Sequence, residues 1–546
     1  MNILYKLLRK TVIKTSAYKP LENFYKGLYY LYLNFIVFIL FKPDKIEGVL
    51  LRGSVASGSF RPGNSDIDLI FILKELEAKE ELRYLKRFWY LFGILHKICP
   101  LLVEIAIINV KEFNLYMSWP LVCYYYALKD GRFLFNSKFI KMDIDLSYSE
   151  LQSNIFREAF YDFRRLFSHI LTDYNGELSA SIRGRDIHRV LSSTQIRLFA
   201  NDFIKNAPGE VERLAHYYKF MQGEEKTLLS KMNNNIHNDA VVVGVAMGRL
   251  RNIIAITKQT FRKNRPLIHL EYKNNNKRQP AIYLSIQKQL GELIKSKIGP
   301  VKECINSIIL SPSIWGNYNY KLIIVLKSNG GSEDLLRKVI PYARGLRKDI
   351  NALPFRNLFD QDFYPLICCQ EMCNCYNLFD NPLDFCKFRT HSVAVYGDIF
   401  FNRDFEADDF LFYDAKEYIL RAAFLIRRRF KSLKIHRSKA FYAKNLIDFI
   451  AGFLPASRLL METKSLVFSV KDALDLYQYL NSPYIDFLQR FHNNYIRDDI
   501  YDFSRIDADT ILDQSFTYIK YELGKIFELS REGNYSTSLL RRTKNF

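Results

Sequence analysis

At 546 residues and 49% hydrophobic, the chain is too long for a single core and is expected to fold as roughly three to five compact units. Its formal charge of +21, from 79 Lys+Arg against 58 Asp+Glu, favours anionic partners and disfavours a polycationic small substrate unless the pocket that takes it is acidic. Eight cysteines at irregular spacings, with no N-terminal secretory pattern, argue against a disulfide framework and predict a reducing, cytoplasmic setting.

The first periodic segment, Gly27 to Phe41, is apolar but falls short of the roughly 20 residues needed to span a bilayer. It predicts a buried helix, with an interfacial membrane helix as the alternative. A strand running into a tight turn follows at KIEGVLLRGS, then a second strand at SDIDLIFIL, a long amphipathic helix, and a third strand at LLVEIAII. From about Asp145 to Lys263 the pattern is helical. The layout then restarts: a helix at QPAIYLSIQKQLGELIKSK leads into a strand, a turn and a strand ending at LIIVLKS. This predicts an internal repeat of about 250 to 265 residues, with LKDGRFLF around Gly131 and AVYGDIFF around Gly397 as a shared later marker. The expected class is α/β in the α+β sense: a mixed sheet with helices, all-helical regions, and a tandem duplication. The expected boundaries are an N-terminal helical segment at 1–45, a catalytic domain at 46–140, a helical domain at 141–270, a degenerate second copy of the catalytic domain at 271–404, and a C-terminal helical domain at 405–546.

The chemistry concentrates between residues 52 and 104. Gly53 lets the backbone turn sharply at a strand end and approach a phosphate, and Ser54 adds a hydroxyl and an amide at the start of a helical turn, forming a seat for an anion. Twelve residues after Ser54, Asp66 and Asp68 stand two apart, so both side chains leave one face while Ile67 enters the core. Two carboxylates that close repel, and Mg²⁺, a hard cation completed by water and phosphate oxygens, is the natural counter-charge. Glu104 is the third acid, because a charge in an apolar strand is costly unless paired or metal-bound. It either ligates a second metal or accepts the proton of an attacking hydroxyl. Bare Asp-x-Asp spacing carries little weight: Asp143 and Asp145, and Asp507 and Asp509, repeat it with no Gly-Ser turn before them.

At Gly53, Ser54, Ala56, Gly58, Pro62, Ser65, Asp66, Ile67, Asp68 and Leu69 the chain resembles the DNA polymerase β-type nucleotidyltransferase superfamily, closest in pattern to its minimal and antibiotic-modifying members. The resemblance covers about residues 45 to 140. It implies a mixed-sheet catalytic domain and transfer of a nucleoside monophosphate from a nucleotide triphosphate to an acceptor, with pyrophosphate released. It also implies one Mg²⁺ or two held by Asp66, Asp68 and Glu104, and a nucleotide contacted by Gly53, Ser54 and Ser65. A small molecule, an RNA end and a protein side chain all remain open as acceptor. Aligning Leu322 with Leu69 puts Asn319 and Lys321 where the aspartates stand and Ser311-Pro312 near the Gly-Ser position, so the second copy is expected to hold no catalytic metal.

Weaker signals compete with this reading. Cys368, Cys369, Cys373, Cys375 and Cys386 offer thiols for zinc but lack two separated knuckles, so a core role is expected. Arg164 with His169, and Arg429 with His436, have spacings that resemble the ribonuclease motif of HEPN helical domains, and Glu158 is a candidate base. Basic runs around Arg185, Arg347 and Arg427 to Lys434 offer nucleic-acid contacts, with solvated helix faces as the plain alternative. The runner-up class is a regulatory protein of the same fold that senses nucleotide without turning it over.

Overall fold

The computed structural model describes residues 10–98 except 59 and 64, 103–117, 131–136, 160–171 except 169, 238–261, 281–311, 320–327, 332–354, 364–373, 382–399, 446–467 except 464, 470–497 and 508–531, with isolated short pieces at 140, 271–272, 359, 427 and 500–501. The architecture is mixed α/β, with two four-stranded mixed sheets set among helices. Helix α1 (Lys19–Leu40) enters β1 (Ile46–Arg52), which is followed by the single turn α2 (Gly53–Ala56), β2 (Ile67–Leu73), α3 (Ala78–Ile98), β3 (Val103–Asn109), α4 (Val110–Met117) and β4 (Arg132–Phe135). Beyond α5 (Asp239–Phe261), a short strand β5 (Glu271–Tyr272) and α6 (Ala281–Lys297), the second sheet takes β6 (Ile305–Ser311), β7 (Lys321–Leu326), α7 (Glu333–Asn351), β8 (Leu366–Cys368), α8 (Gln370–Cys373), α9 (Pro382–His391) and β9 (Val393–Tyr396). The C-terminal helices are α10 (Leu454–Thr463), α11 (Val470–Tyr477), α12 (Ile485–Tyr495) and α13 (Ala508–Arg531). A two-residue strand β10 (Ser465–Leu466) pairs with β5.

Strand β1 is buried at all seven positions, and β2, β3, β6 and β7 are nearly so, which is why they read as continuous apolar runs rather than alternating ones. Both sheets have the same order, β3-β2-β1-β4 and β8-β7-β6-β9, with the central pair antiparallel and the β2–β3 and β7–β8 pairs parallel. Their registers match as well. Leu51 faces Leu69 as Leu310 faces Leu322, Arg52 faces Asp68 as Ser311 faces Lys321, and each central strand slips register at its start, between Ile46 and Gly48 and between Ile305 and Ser307.

Two expectations need correction. The glycine markers do not correspond: the outer-strand pairing aligns Phe135 with Tyr396, so Gly131 precedes its strand whereas Gly397 follows its own. Gly397 has φ +68, and a Cβ there would strike the Asn306 carbonyl, so its role is a close backbone crossing. Helix α1 is buried on one face only, through Tyr29, Tyr32, Leu33, Ile36 and Leu40. Among the described residues no helix is long and apolar enough to cross a membrane.

Each sheet's long helix is also covered by helices from the opposite half of the chain. On α3, the Trp89 indole N–H donates to the Arg427 carbonyl at 2.9 Å, and α13 lies alongside, with Lys86 paired to Asp513 and Lys520 to Glu81 at 2.8 Å. On α7, Arg344 donates to the Ile170 carbonyl at 2.7 Å and pairs with Asp239 at 2.6 Å, while α5 lies alongside. Arg251 of α5 reaches Glu371 at 2.8 Å, and the Tyr364 hydroxyl donates to the Arg164 carbonyl at 3.3 Å. Helices from the first half thus help to cover the second sheet unit, and helices from the second half help to cover the first.

Arg427 is the centre of one such junction. It is 2% exposed and holds Glu81 at 2.6 Å and Glu112 through two guanidinium nitrogens, one of them at 3.0 Å. Arg427 was a candidate for tracking a nucleic-acid backbone, and its burial in this cluster removes it from that role. Burial acts to raise the Glu81 pKa, but the combined charges of Arg427 and Lys520 outweigh it and hold the carboxyl below its ordinary range. Arg427→Met leaves two buried acids without their guanidinium and should cost about 3–5 kcal/mol, read as a lower urea midpoint. Lys86→Ala, at the partly exposed pair, should cost under about 1 kcal/mol. Because its folded pKa is depressed, Glu81 contributes stability above its ordinary value of 4.5 that is lost as pH falls through the folded pKa, and Arg427→Met should remove that acid-limb contribution from the stability profile.

Candidate metal centre

Three segments deliver three carboxylates to one end of the first sheet. Asp66 stands immediately before β2, Asp68 is the second residue of β2, and Glu104 is the second residue of β3. The parallel register sets Asp68 directly beside Glu104, and the antiparallel register sets Arg52 on its other side, so the three side chains leave the same face in a row. Ile67, Leu69 and Ile105 leave the other face and are fully buried in the core shared with α1 and α3. Oxygen atoms of Asp66, Asp68 and Glu104 lie within 4.8 Å of one another, and among the described residues this is the one group of three or more acids, histidines or cysteines so arranged. Oxygen-only donors at this spacing fit a hard divalent cation.

Gly53 is required by geometry. Its φ is +74, and a Cβ on it would lie 2.6 Å from Oδ2 of Asp68, so the turn and the carboxylate fit together only while this residue has no side chain. The turn closes through the Ser57 amide donating to the Gly53 carbonyl at 3.2 Å and the Gly58 amide to the Val55 carbonyl at 3.3 Å. Ser54 begins this turn half-buried, where the first amides of a helical turn have no acceptor within it. Ser65 takes a different position from Ser54: its hydroxyl accepts the Arg61 amide at 2.9 Å while its own amide donates to the Arg61 carbonyl at 2.9 Å, so it braces the turn that presents Asp66.

Two contributors escaped sequence reasoning. The Tyr29 hydroxyl, carried in on α1, accepts the Gly63 amide at 3.0 Å and donates to the Ser65 carbonyl at 3.3 Å, while its ring packs on buried Phe60 at 5.3 Å. Nothing in the sequence marks that one tyrosine among several on the helix. Arg52 could have been found by the logic applied to Glu104, since it too is a charge ending an apolar strand, and it is buried beside Asp68.

The equivalent end of the second sheet differs. Lys321 takes the register position of Asp68 and pairs with Asp384 of α9 at 2.5 Å. Asn319 and Pro312 lie outside the described residues. Cys368 meets Cys373 at 3.1 Å inside the core, and Cys369 turns away to Glu371 at 3.2 Å. Burial pushes the Cys368 thiol well up and the Cys369 thiol up to about 12, which suits protonated core residues better than thiolate ligands. Cys375, His169, Arg429, His436, Glu158 and Arg185 lie outside the described residues, as does the side chain of Cys386.

Gly53→Ala should cost about 1–2 kcal/mol from the left-handed backbone alone and should also displace the Asp68 carboxylate. The expected outcome is a modestly lower melting temperature with Mn²⁺ binding, followed by electron paramagnetic resonance, weakened at least as much as by Asp66→Asn. Unchanged Mn²⁺ affinity would contradict the fit of turn and carboxylate described above. Comparison of the chain with protein-family models, with curated proteins and with solved structures gives no significant match, so the reading of this site rests on its own residues.

Proposed function

We propose that the first sheet unit is a Mg²⁺-dependent nucleotidyltransferase that moves a nucleoside monophosphate from a nucleotide triphosphate to an acceptor nucleophile. The observation that carries this reading is the convergence of Asp66, Asp68 and Glu104 within 4.8 Å beside a glycine turn that admits no side chain. Asp66 and Asp68 would hold the cation, with Glu104 as a further ligand or as the proton acceptor. When bound, Mg²⁺ supplies charge neutralisation for the phosphates. The Gly53–Ser54 turn would seat the phosphate chain against its amides, and the half-buried row of Asp68 and Glu104 would limit water at the reacting phosphorus. The acceptor oxygen attacks the α-phosphorus, the bond from that phosphorus to the bridging oxygen breaks, pyrophosphate leaves with the electron pair, and the acceptor proton passes to a carboxylate. The chain's net charge of +21 favours an anionic acceptor, such as an RNA end, over a polyamine-like one.

The second sheet is proposed to be a degenerate copy of the first, supported by identical strand order, matching register and the shared register slips at β1 and β6. With Lys321 and its partner Asp384 in place of a carboxylate ligand, this copy would bind no catalytic metal. It would serve as scaffold and as the platform for α5.

Incubation with α-labelled nucleotide triphosphates, Mg²⁺ and cell extract should label an acceptor and release pyrophosphate. Asp66→Asn combined with Asp68→Asn should reduce transfer by at least about 10³-fold, the scale of losing a preorganised electrostatic stabiliser. Lys321→Ala should leave transfer within about twofold. Transfer that survives the double substitution would place the activity elsewhere.

A further inference from the structure

Helix α1 carries a second apolar face, opposite the one that enters the core. Leu21, Phe24, Leu28, Leu31, Phe35 and Phe38 are all exposed, Leu31 at 67% and Phe38 at 82%. Their spacings run three, four, three, four, three, the seam that one helix presents to another, and they extend over about 26 Å of helix. No ionisable residue interrupts the exposed positions from Leu21 to Phe38; the polar interruptions are Asn23 and Asn34, and the nearby Glu22 and Lys26 pair with each other at 2.7 Å. Gly27 lies at the edge of the seam with open space where a side chain would be, which leaves room for a close helix approach.

The helix that precedes the second sheet has a different outer face. Helix α6 also leads into the first strand of its sheet, yet its exposed positions from 284 onward include Ser285, Lys288, Gln289, Glu292, Lys295 and Ser296, with Leu284 as the one exposed large apolar side chain among its described residues. The two helices also pack differently, α1 on the long helix α3 and α6 on β9.

We infer that the outer face of α1 is a homodimer interface, in which α1 packs antiparallel against α1 of a second copy about a two-fold axis. The seam is self-complementary in that direction: Leu21 meets Phe38 of the partner subunit, Phe24 meets Phe35 of the partner subunit, and Leu28 meets Leu31 of the partner subunit. Three phenylalanines and three leucines at these exposures present on the order of 500–600 Å² of apolar surface, at the upper end of what monomers display. With Tyr18, Tyr30 and the glycine edge included, the face approaches the roughly 800 Å² per partner of a standard interface. A strongly cationic chain repels its own copies at long range, so a largely apolar contact without charged side chains is a surface on which it can self-associate. The extent of the face and its self-complementarity in the antiparallel direction commit the inference to a second copy as the occupant, with a bilayer surface as the alternative that the test below reads out. The inner face of the same helix holds the 60–65 turn through Tyr29, so dimerisation sits directly behind the candidate metal centre.

Sedimentation equilibrium on the full chain, at about 1–50 μM, should show a dimer. Leu31→Lys combined with Phe38→Lys should raise the dimer dissociation constant at least about 100-fold, since four lysines would enter an apolar contact, with far-UV circular dichroism and melting temperature unchanged because both side chains are exposed. Phe24→Glu combined with Phe35→Glu should do the same and guards against a folding artefact of the first pair. A monomeric wild-type chain at 50 μM, or a dimer indifferent to both double variants, overturns the inference. So does a wild-type chain that is monomeric in solution but floats with vesicles of anionic phospholipid, since a membrane would then be the occupant.

Discussion

Three carboxylates crowded onto one sheet end repel one another, and the first sheet unit is arranged to keep them together regardless. Register does most of this: once β2 is pinned between β1 and β3, Asp68 cannot leave Glu104 without breaking a ladder whose every other member is buried. The rest is done by subtraction. Gly53 contributes by having no Cβ, and so leaves Oδ2 of Asp68 the volume it occupies. Arg52 adds a positive charge to the same row, which moderates the repulsion. The arrangement gathers three carboxylates in a geometry that could hold a cation.

The two sheets share a frame and differ at the position that carries the acid in the first. Order, direction and register agree between them, including the slip at the start of each central strand. At the position of Asp68 the second sheet places Lys321, which needs a negative partner and finds it in Asp384 on the helix that precedes β9. The Lys321–Asp384 pair is locally neutral, and Ser311 and Lys321 pair in register just as Arg52 and Asp68 do.

The strands and the acids were legible in the sequence for a definite reason. A buried strand is a short apolar run, and a carboxylate inside or at the end of one stands out because burial of an isolated charge is so unfavourable. Asp66, Asp68, Glu104 and Gly53 announce themselves by that contrast. What was not legible lay in long-range pairings. Tyr29 looks like any of its neighbours until the 60–65 turn is folded against it. Arg427 sits in a run of arginines whose sequence pattern is that of a solvated helix face, and its burial depends on Glu81 and Glu112, which are more than 300 residues away. The two glycines of the supposed repeat marker misled because their strands are equivalent while they themselves stand at opposite ends of them.

The crossed packing of helices has a consequence for synthesis on the ribosome. The first sheet unit emerges early, but the guanidinium that neutralises Glu81 and Glu112 follows more than 300 residues later, and the helix carrying Lys520 comes almost last. At translation speeds of about 5–20 residues per second, α3 and α4 wait on the order of twenty seconds or more with their acids still hydrated. The early unit must therefore stay open on that side, as a late-closing seam, and a nascent chain halted before residue 427 would carry the acidic end of the sheet without the cover that locks its far end.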